Sequence, residues 1–270
     1  MGEDGRPMHK SWGNAIEFNE GADKIGVDVM RWMFVKQDPE QNVLFGYKKA
    51  DETRRKFHIL LWNIFIFFVT YALVDHWRPS PDKKRTSEHV LDRWILSKLQ
   101  KLIEAVTESL EKFDAASAAL ALEEFVSDLS QWYVRRVRER VGPTVEAGLD
   151  KDACYQTLYA VLVELTKLLA PFNPFLSEEI YRNLTGSKSV HLADWPLASS
   201  SLVDVALEKE MALGRKVVEA VHAVRKLQKI KVRQPLLKFS YILPQRLRAE
   251  IEKLMAQETN VKQIEYQSGE

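Results

Sequence analysis

The sequence is poor in cysteine, and its charges almost cancel. A single cysteine, Cys154, excludes an internal disulfide bond and any metal site built from several cysteines. The 39 basic and 38 acidic side chains leave a net charge of +1, so the chain has no bulk field that would attract nucleic acid. Any nucleic-acid site must therefore be a local patch.

Phosphate-binding glycine loops, metal-ligand spacings and a secretion signal are also lacking. No glycine-rich loop of the Walker or dinucleotide type occurs, and the six histidines never fall at ligand spacing, so we expect no metal site. Residues 1–10 are polar and contain no apolar signal core, which predicts a cytoplasmic protein. These absences favour a soluble globular chain of one or two domains.

One long apolar run occupies residues 59–74, directly after a basic run at residues 54–56. A membrane span needs about 20 such residues, whereas this run is shorter and is interrupted by Asn63 and Thr70. We therefore expect a buried central helix and no membrane contact. If Asn63 is buried there, it must find a hydrogen-bond partner.

Helical periodicity dominates the chain between residues 47 and 229, where apolar residues recur at spacings of three and four. Asp114 is expected to cap one of the helices, and the proline-containing segment 78–85 is expected to form a surface loop. Because each apolar stripe must be covered by another, the helices predict an antiparallel bundle. The predicted helices are residues 47–75, 87–112, 115–140, 151–169, 174–184 and 202–229.

The pattern changes at the C-terminal end, where two short strands at residues 236–243 and 261–266 flank a helix. Two strands alone give a poor core, so we expect this β-α-β unit to be truncated. The fold class predicted for the chain is mainly α: an antiparallel helical bundle followed by a truncated α/β unit. The predicted divisions are an N-terminal segment at 1–46, the bundle at 47–200 and the C-terminal part at 201–270.

Residues 5–14, GRPMHKSWGN, contain a lysine in a glycine-flanked loop. The segment resembles the Lys-Met-Ser-Lys-Ser loop of class I aminoacyl-tRNA synthetases, although Pro7 and His9 replace two usual residues. In such a loop a mobile ammonium group can meet the negative charge that builds on the α-phosphate of ATP when an amino-acid carboxylate attacks it. The resemblance implies that Lys10 is catalytic. It also implies that the ATP signature loop consists of Met8, His9, Lys10 and Ser11.

Residues 131–140, QWYVRRVRER, carry four arginines near the end of a predicted helix. Helical spacing places Arg135 and Arg138 on one face and Arg136 and Arg140 on another, which gives a cationic ridge able to pair with phosphates. The two aromatic residues offer stacking surfaces for unpaired bases. The alternative is that the arginines complement the helix dipole and that the tryptophan belongs to the core. The predicted RNA-binding residues are Trp132, Tyr133, Arg135, Arg136, Arg138 and Arg140.

Further segments extend the resemblance in the same order as in the family: residues 22–32, 54–72, 169–180, 189–196 and 231–236. The last of these, KVRQPL, is more similar to isoleucyl than to valyl or leucyl enzymes. The chain therefore resembles isoleucyl-tRNA synthetases from the signature loop through the helical anticodon-binding domain.

The resemblance implies a parent enzyme that attaches isoleucine to its tRNA with ATP. The His-Ile-Gly-His-like element and the residues that select isoleucine are absent, so we expect the fragment to be inactive alone and to bind no ATP stably. Its expected partners are isoleucine-specific tRNA and the missing catalytic domain, and we expect a monomer. Two alternatives stay open: a helical protein-interaction module, and the equivalent piece of a valyl or leucyl enzyme.

Overall fold

The computed structural model describes residues 1–80 and 87–269. Most of the surface loop predicted at residues 78–85 lies outside these described residues. The chain forms two compact units, Met1–Val203 and Asp204–Glu270. The predicted divisions at residues 46 and 200 stay predictions.

Helices build the first unit, and most of them match the predicted periodic segments within a few residues. A 3-10 turn, Lys10–Trp12, precedes them. Their bounds are α1 (Phe18–Ile25), α2 (Val27–Val35), α3 (Tyr47–Thr53), α4 (Ile59–Val74), α5 (Val90–Glu111), α6 (Ala115–Asp128), α7 (Arg135–Val141), α8 (Leu149–Leu169) and α9 (Pro174–Thr185).

Two of the long helices contain a π-helical turn. Residues Arg54–His58 join α3 to α4, and residues Leu129–Val134 join α6 to α7, so each pair runs as one continuous rod. A π turn adds one residue to the helical repeat and changes which side chains face the core. Such turns often occur at functional sites in proteins.

The core of the first unit lies around α5 and α8, both of which are largely buried. Trp32 of α2 is fully buried and stacks on Phe57 with ring centroids 4.0 Å apart, which fixes the N-terminal helices against this core. The predicted cap of α6 is confirmed, because the Ser117 amide donates to Asp114 Oδ1 at 2.9 Å. The first unit is thus stabilised both by tertiary packing and by a local helix cap.

The apolar run forms α4, and only one side of this helix is buried. Its buried side chains are Leu61, Ile64, Phe65, Phe68 and Ala72, whereas its exposed ones include Ile59, Trp62, Ile66, Leu73 and Val74. By length and composition the continuous helix Tyr47–Val74 could cross a membrane, with a mean hydropathy of 2.0 in a stretch that is 39% buried. The prediction of a buried central helix is therefore correct for one face only. Asn63 lies on the exposed side and needs no buried partner.

The second unit is the predicted β-α-β arrangement, preceded by a long helix. The two strands pair in parallel, in register from Leu236 opposite Val261 to Leu243 opposite Ser268. A right-handed crossover helix is the usual way to join such parallel strands. The elements are α10 (Val205–Leu227), β1 (Leu236–Leu243), α11 (Ala249–Thr259) and β2 (Val261–Ser268). The predicted fold class, mainly helical with a small C-terminal α/β unit, is confirmed.

Candidate nucleic-acid interface

The two aromatic residues of the predicted RNA-binding motif lie in the core. Tyr133 is 0% exposed and Trp132 is 8% exposed, because the π turn directs three successive side chains, including Val134, inwards. The Tyr133 hydroxyl donates to Asp92 Oδ1 at 2.6 Å, and burial raises the pKa of Tyr133 well above its usual value. The prediction that these rings offer stacking surfaces to bases is therefore wrong.

Arg140 is also structural, contrary to its predicted contact with RNA. Its guanidinium donates to both carboxylate oxygens of Asp92, at 2.7 and 2.8 Å, and Asp92 is fully buried. It donates to Asp150 as well, at 2.8 and 2.9 Å. A planar guanidinium makes strong bidentate hydrogen bonds of this kind to a carboxylate. The hydrogen bonds therefore hold Arg140 within the bundle.

The buried network around Asp92 extends to two more side chains. The Ser87 hydroxyl donates to Asp92 Oδ2 at 2.6 Å, and the Cys154 sulfur lies 4.0 Å from the Tyr133 hydroxyl. Burial raises the pKa of Cys154 to about 12, so this thiol stays protonated and unreactive at neutral pH. The network joins α5, the end of α7 and the start of α8.

Arg135 and Arg138 remain on the surface and share one face of α7, as the helical spacing predicted. Arg136 is half-buried. The Arg138 guanidinium lies over the Phe67 ring, 5.7 Å from its centroid. This cation–π contact shows that the middle of α7 lies beside α4.

The exposed side of α4, the helix that Arg138 contacts through Phe67, carries an aromatic ring. Trp62 is 39% exposed, and its neighbours on the same side, Asn63 and Ile66, are exposed too. We use the name α4–α7 face for the exposed side chains of these two neighbouring helices, which are Trp62, Asn63 and Ile66 of α4 and Arg135 and Arg138 of α7. It combines a ring that can stack on a base, an amide that can bond a base edge and cations that can pair with phosphates.

Sequence reasoning missed Trp62 as a site residue because the whole of α4 was assigned to the core. A signal was present, since residues 59–74 are apolar on all sides of the helix rather than along one stripe. A helix with a single buried face needs only one apolar stripe.

The loop with the synthetase-like signature folds back on itself. Asn14 Oδ1 accepts from the His9 amide at 2.8 Å, and the Asn14 side-chain amide donates to the Pro7 carbonyl at 3.1 Å. The His9 ring also bonds the Ser11 hydroxyl at 2.6 Å. Met8 packs against a small apolar cluster, whereas Lys10 is exposed on the 3-10 turn. The four predicted loop residues thus lie together, and their role in binding ATP stays a prediction.

No group of three or more His, Cys, Asp or Glu side chains is placed to hold a metal ion within residues 1–80 and 87–269.

A family model described as the anticodon-binding domain of tRNA ligase matches residues 92–240, which is more than half of the chain. The chain belongs to this anticodon-binding family of tRNA ligases. The match begins at Asp92, the centre of the buried network, and ends within β1. Arg135 and Arg138 lie inside the matched region, whereas Trp62 and the rest of α4 lie before it. The α4–α7 face of this anticodon-binding domain is thus only partly covered by the family match.

Similar curated proteins are isoleucine–tRNA ligases, which confirms the resemblance seen in the sequence. The protein from Thermus thermophilus is 41% identical over 279 residues, covering 98% of this chain and 26% of its own length. That from Dehalococcoides mccartyi strain CBDB1 is 42% identical, covering 90% and 25%. That from Clostridium novyi is 40% identical, covering 97% and 26%. The anticodon-binding chain therefore spans about a quarter of the length of these relatives.

A solved structure of similar fold is the ternary complex of Agrobacterium radiobacter K84 agnB2 LeuRS, tRNA and LeuAMS. The two structures align with a TM-score of 0.54 and 22% sequence identity, over 76% of this chain and 24% of that one. At this identity the likeness shows a shared fold.

Proposed function

We propose that this chain is the tRNA-binding portion of an isoleucine–tRNA ligase and binds the anticodon region of isoleucine-specific tRNA. The observation that carries the proposal is the α4–α7 face, in which α4 carries an exposed tryptophan and the neighbouring α7 carries exposed arginines, in an anticodon-binding family member. Isoleucine–tRNA ligases at about 40% identity support the amino-acid assignment. The LeuRS structure of similar fold contains tRNA, which supports the partner.

Each part of the face has a chemical role in this proposal. Arg135 and Arg138 pair with backbone phosphates near the anticodon, because a guanidinium matches the geometry of phosphate oxygens. Trp62 stacks on an unpaired base, as aromatic side chains do in recognition of single-stranded RNA loops. The half-exposed ring needs no rearrangement of the core to do so.

In the parent enzyme, isoleucine is attached to tRNA with ATP, and Lys10 acts from the signature loop. We propose that Met8, His9 and Ser11 form that loop with Lys10, and that the catalytic domain of the parent is the other partner of this chain. The chain alone is then inactive as a ligase and binds ATP only weakly. A cytoplasmic monomer is consistent with this function in protein synthesis.

Fluorescence anisotropy with labelled isoleucine-specific tRNA tests the proposal. Replacing both exposed arginines, R135A/R138A, removes about two phosphate contacts, so the slope of log affinity against log salt falls by about 1.5. W62A removes a stacked base and weakens binding by about 1 to 3 kcal/mol. The matched control is R182A/K188A, which removes one exposed charge from the last turn of α9 and one from the segment after it, and leaves binding unchanged.

The alternative function, a helical protein-interaction module, has one observation in its favour. The exposed end of α4 continues the apolar surface through Leu73 and Val74, which are 56% and 60% exposed. This alternative predicts no tRNA binding at low salt. Absence of binding by the unaltered chain contradicts the proposed function, and equal losses in R135A/R138A and the control contradict the role given to the α4–α7 face.

A further inference from the structure

The second unit contains a stretch of 30 residues, 220–249, without a single aspartate or glutamate. Half of its eight basic side chains have partners in the structure. Three of these form ion pairs, and the fourth, Arg225, donates to backbone carbonyls. The ion pairs are Lys238 with Glu265 at 2.9 Å, Arg246 with Glu252 at 2.9 Å and Arg248 with Glu210 at 2.6 Å.

The other four basic side chains cluster within eight residues at the end of α10 and in the loop after it. They are Lys226, Lys229, Lys231 and Arg233, which we call the cationic loop, and all four are exposed. No ion pair joins any of them to an acidic side chain among the described residues. Lys226 complements the dipole at the end of α10, but Lys231 and Arg233 lie beyond the helix, where the dipole does not account for them.

The backbone of the cationic loop is held in place by a buried arginine. Arg225 is 2% exposed and donates to the carbonyls of Lys231, Gln234 and Thr259 at 3.1, 3.0 and 2.7 Å. The side-chain amide of Asn260 donates to the Val232 carbonyl at 3.1 Å. A loop fixed in this way loses little conformational entropy when its side chains bind a ligand. The arrangement therefore presents a preformed cluster of positive charge.

We propose that the cationic loop is a second RNA-binding site, which contacts the phosphate backbone of the tRNA and is separate in sequence from the α4–α7 face. This inference rests on the proposed function, because tRNA is the polyanion that an anticodon-binding chain meets. Lysine and arginine side chains bind phosphates through charge and release the counterions condensed on the RNA. Phosphate contacts position an RNA without reading its sequence, so the loop contributes affinity and orientation rather than choice of anticodon.

The test compares two triple variants of the full chain in tRNA titrations at several salt concentrations. K229A/K231A/R233A removes three charges from the cationic loop and leaves Arg225 in place. The control, K209A/K216A/K253A, removes three exposed charges from α10 and α11 in the same unit. If each loop cation meets one phosphate, the salt slope of the loop variant falls by about 2 to 3 relative to the unaltered chain. The slope of the control variant stays the same.

The loop variant is also expected to lose affinity for tRNA by the same factor, relative to the unaltered chain, whether the tRNA carries its natural anticodon or an altered one. If the loop and control variants have equal salt slopes while R135A/R138A still weakens binding, the cationic loop does not bind RNA. The proposed function stands in that case. If the unaltered chain binds no tRNA, both proposals fall. If tRNA binding is unaffected by R135A/R138A but depends on the loop, the α4–α7 face alone is overturned.

Discussion

At the scale of single residues, the arginine motif shows what the sequence can and cannot predict. Helical spacing correctly placed Arg135 and Arg138 together on one face. It also placed Arg140 on the surface, because nothing in the local sequence indicates the partner Asp92, 48 residues away along the chain. Tertiary contacts of this kind decide whether a charged side chain is buried.

The Asp92 network yields a stability prediction. R140A leaves the buried Asp92 carboxylate without its cation and is expected to lower the free energy of unfolding by about 3 to 5 kcal/mol. R138A removes an exposed cation–π contact and is expected to cost no more than about 1 kcal/mol. Urea unfolding followed by tryptophan fluorescence measures both changes, because all the tryptophans lie in the first unit.

Y133F is a useful companion variant, since it removes one hydrogen bond to Asp92 and keeps the buried ring. It is expected to fall between the two arginine variants, at about 1 to 2 kcal/mol. Equal losses for R140A and R138A contradict the structural role given to Arg140. For the same reason, tests of RNA binding leave Arg140 unaltered.

At the scale of helices and strands, periodicity predicted most elements within a few residues, and it predicted β1 at its observed bounds. Periodicity did not predict which face of α4 is buried, because this helix is apolar on all sides and has no single apolar stripe that marks the buried face. The π turns were not predicted either. A π turn inserts one residue into the helical repeat, and a reading based on the regular helix period has no term for it.

The packing of α10 on α11 gives a prediction at this scale. A Cβ atom added at Gly214 would lie 2.7 Å from Ile251 Cγ2 and 3.4 Å from Met255 Sδ, so the two helices meet closely there. G214V is expected to destabilise the second unit by about 2 to 3 kcal/mol, because overpacking forces the helices apart. Hydrogen exchange of the α11 and β1 amides measures this loss.

A220V is the matched control, since Ala220 is exposed on the same helix. It is expected to cost only the difference in helix propensity, about 0.5 kcal/mol. Amide protection that is the same in both variants would show that α10 and α11 do not need close contact at Gly214.

At the scale of the whole molecule, the order of motifs along the chain is sufficient to predict the family without the fold. Several short motifs in a fixed order carry more information than any one of them, since a single motif of five residues often occurs by chance. The bundle and the β-α-β unit followed from the same sequence. The exposed surfaces could not be predicted from the sequence, because the exposure of a side chain depends on how the helices and strands pack.

Hydroxyl-radical footprinting is the most direct test of the proposal that this chain binds the anticodon region of tRNA. Isoleucine-specific tRNA is cleaved in the absence and presence of a saturating concentration of the chain, with W62A as a comparison. We expect protection of the tRNA backbone in the anticodon stem and loop, weaker protection there with W62A, and no protection at the acceptor end. Protection of the acceptor end alone, or a cleavage pattern that the chain does not change, would contradict the proposal.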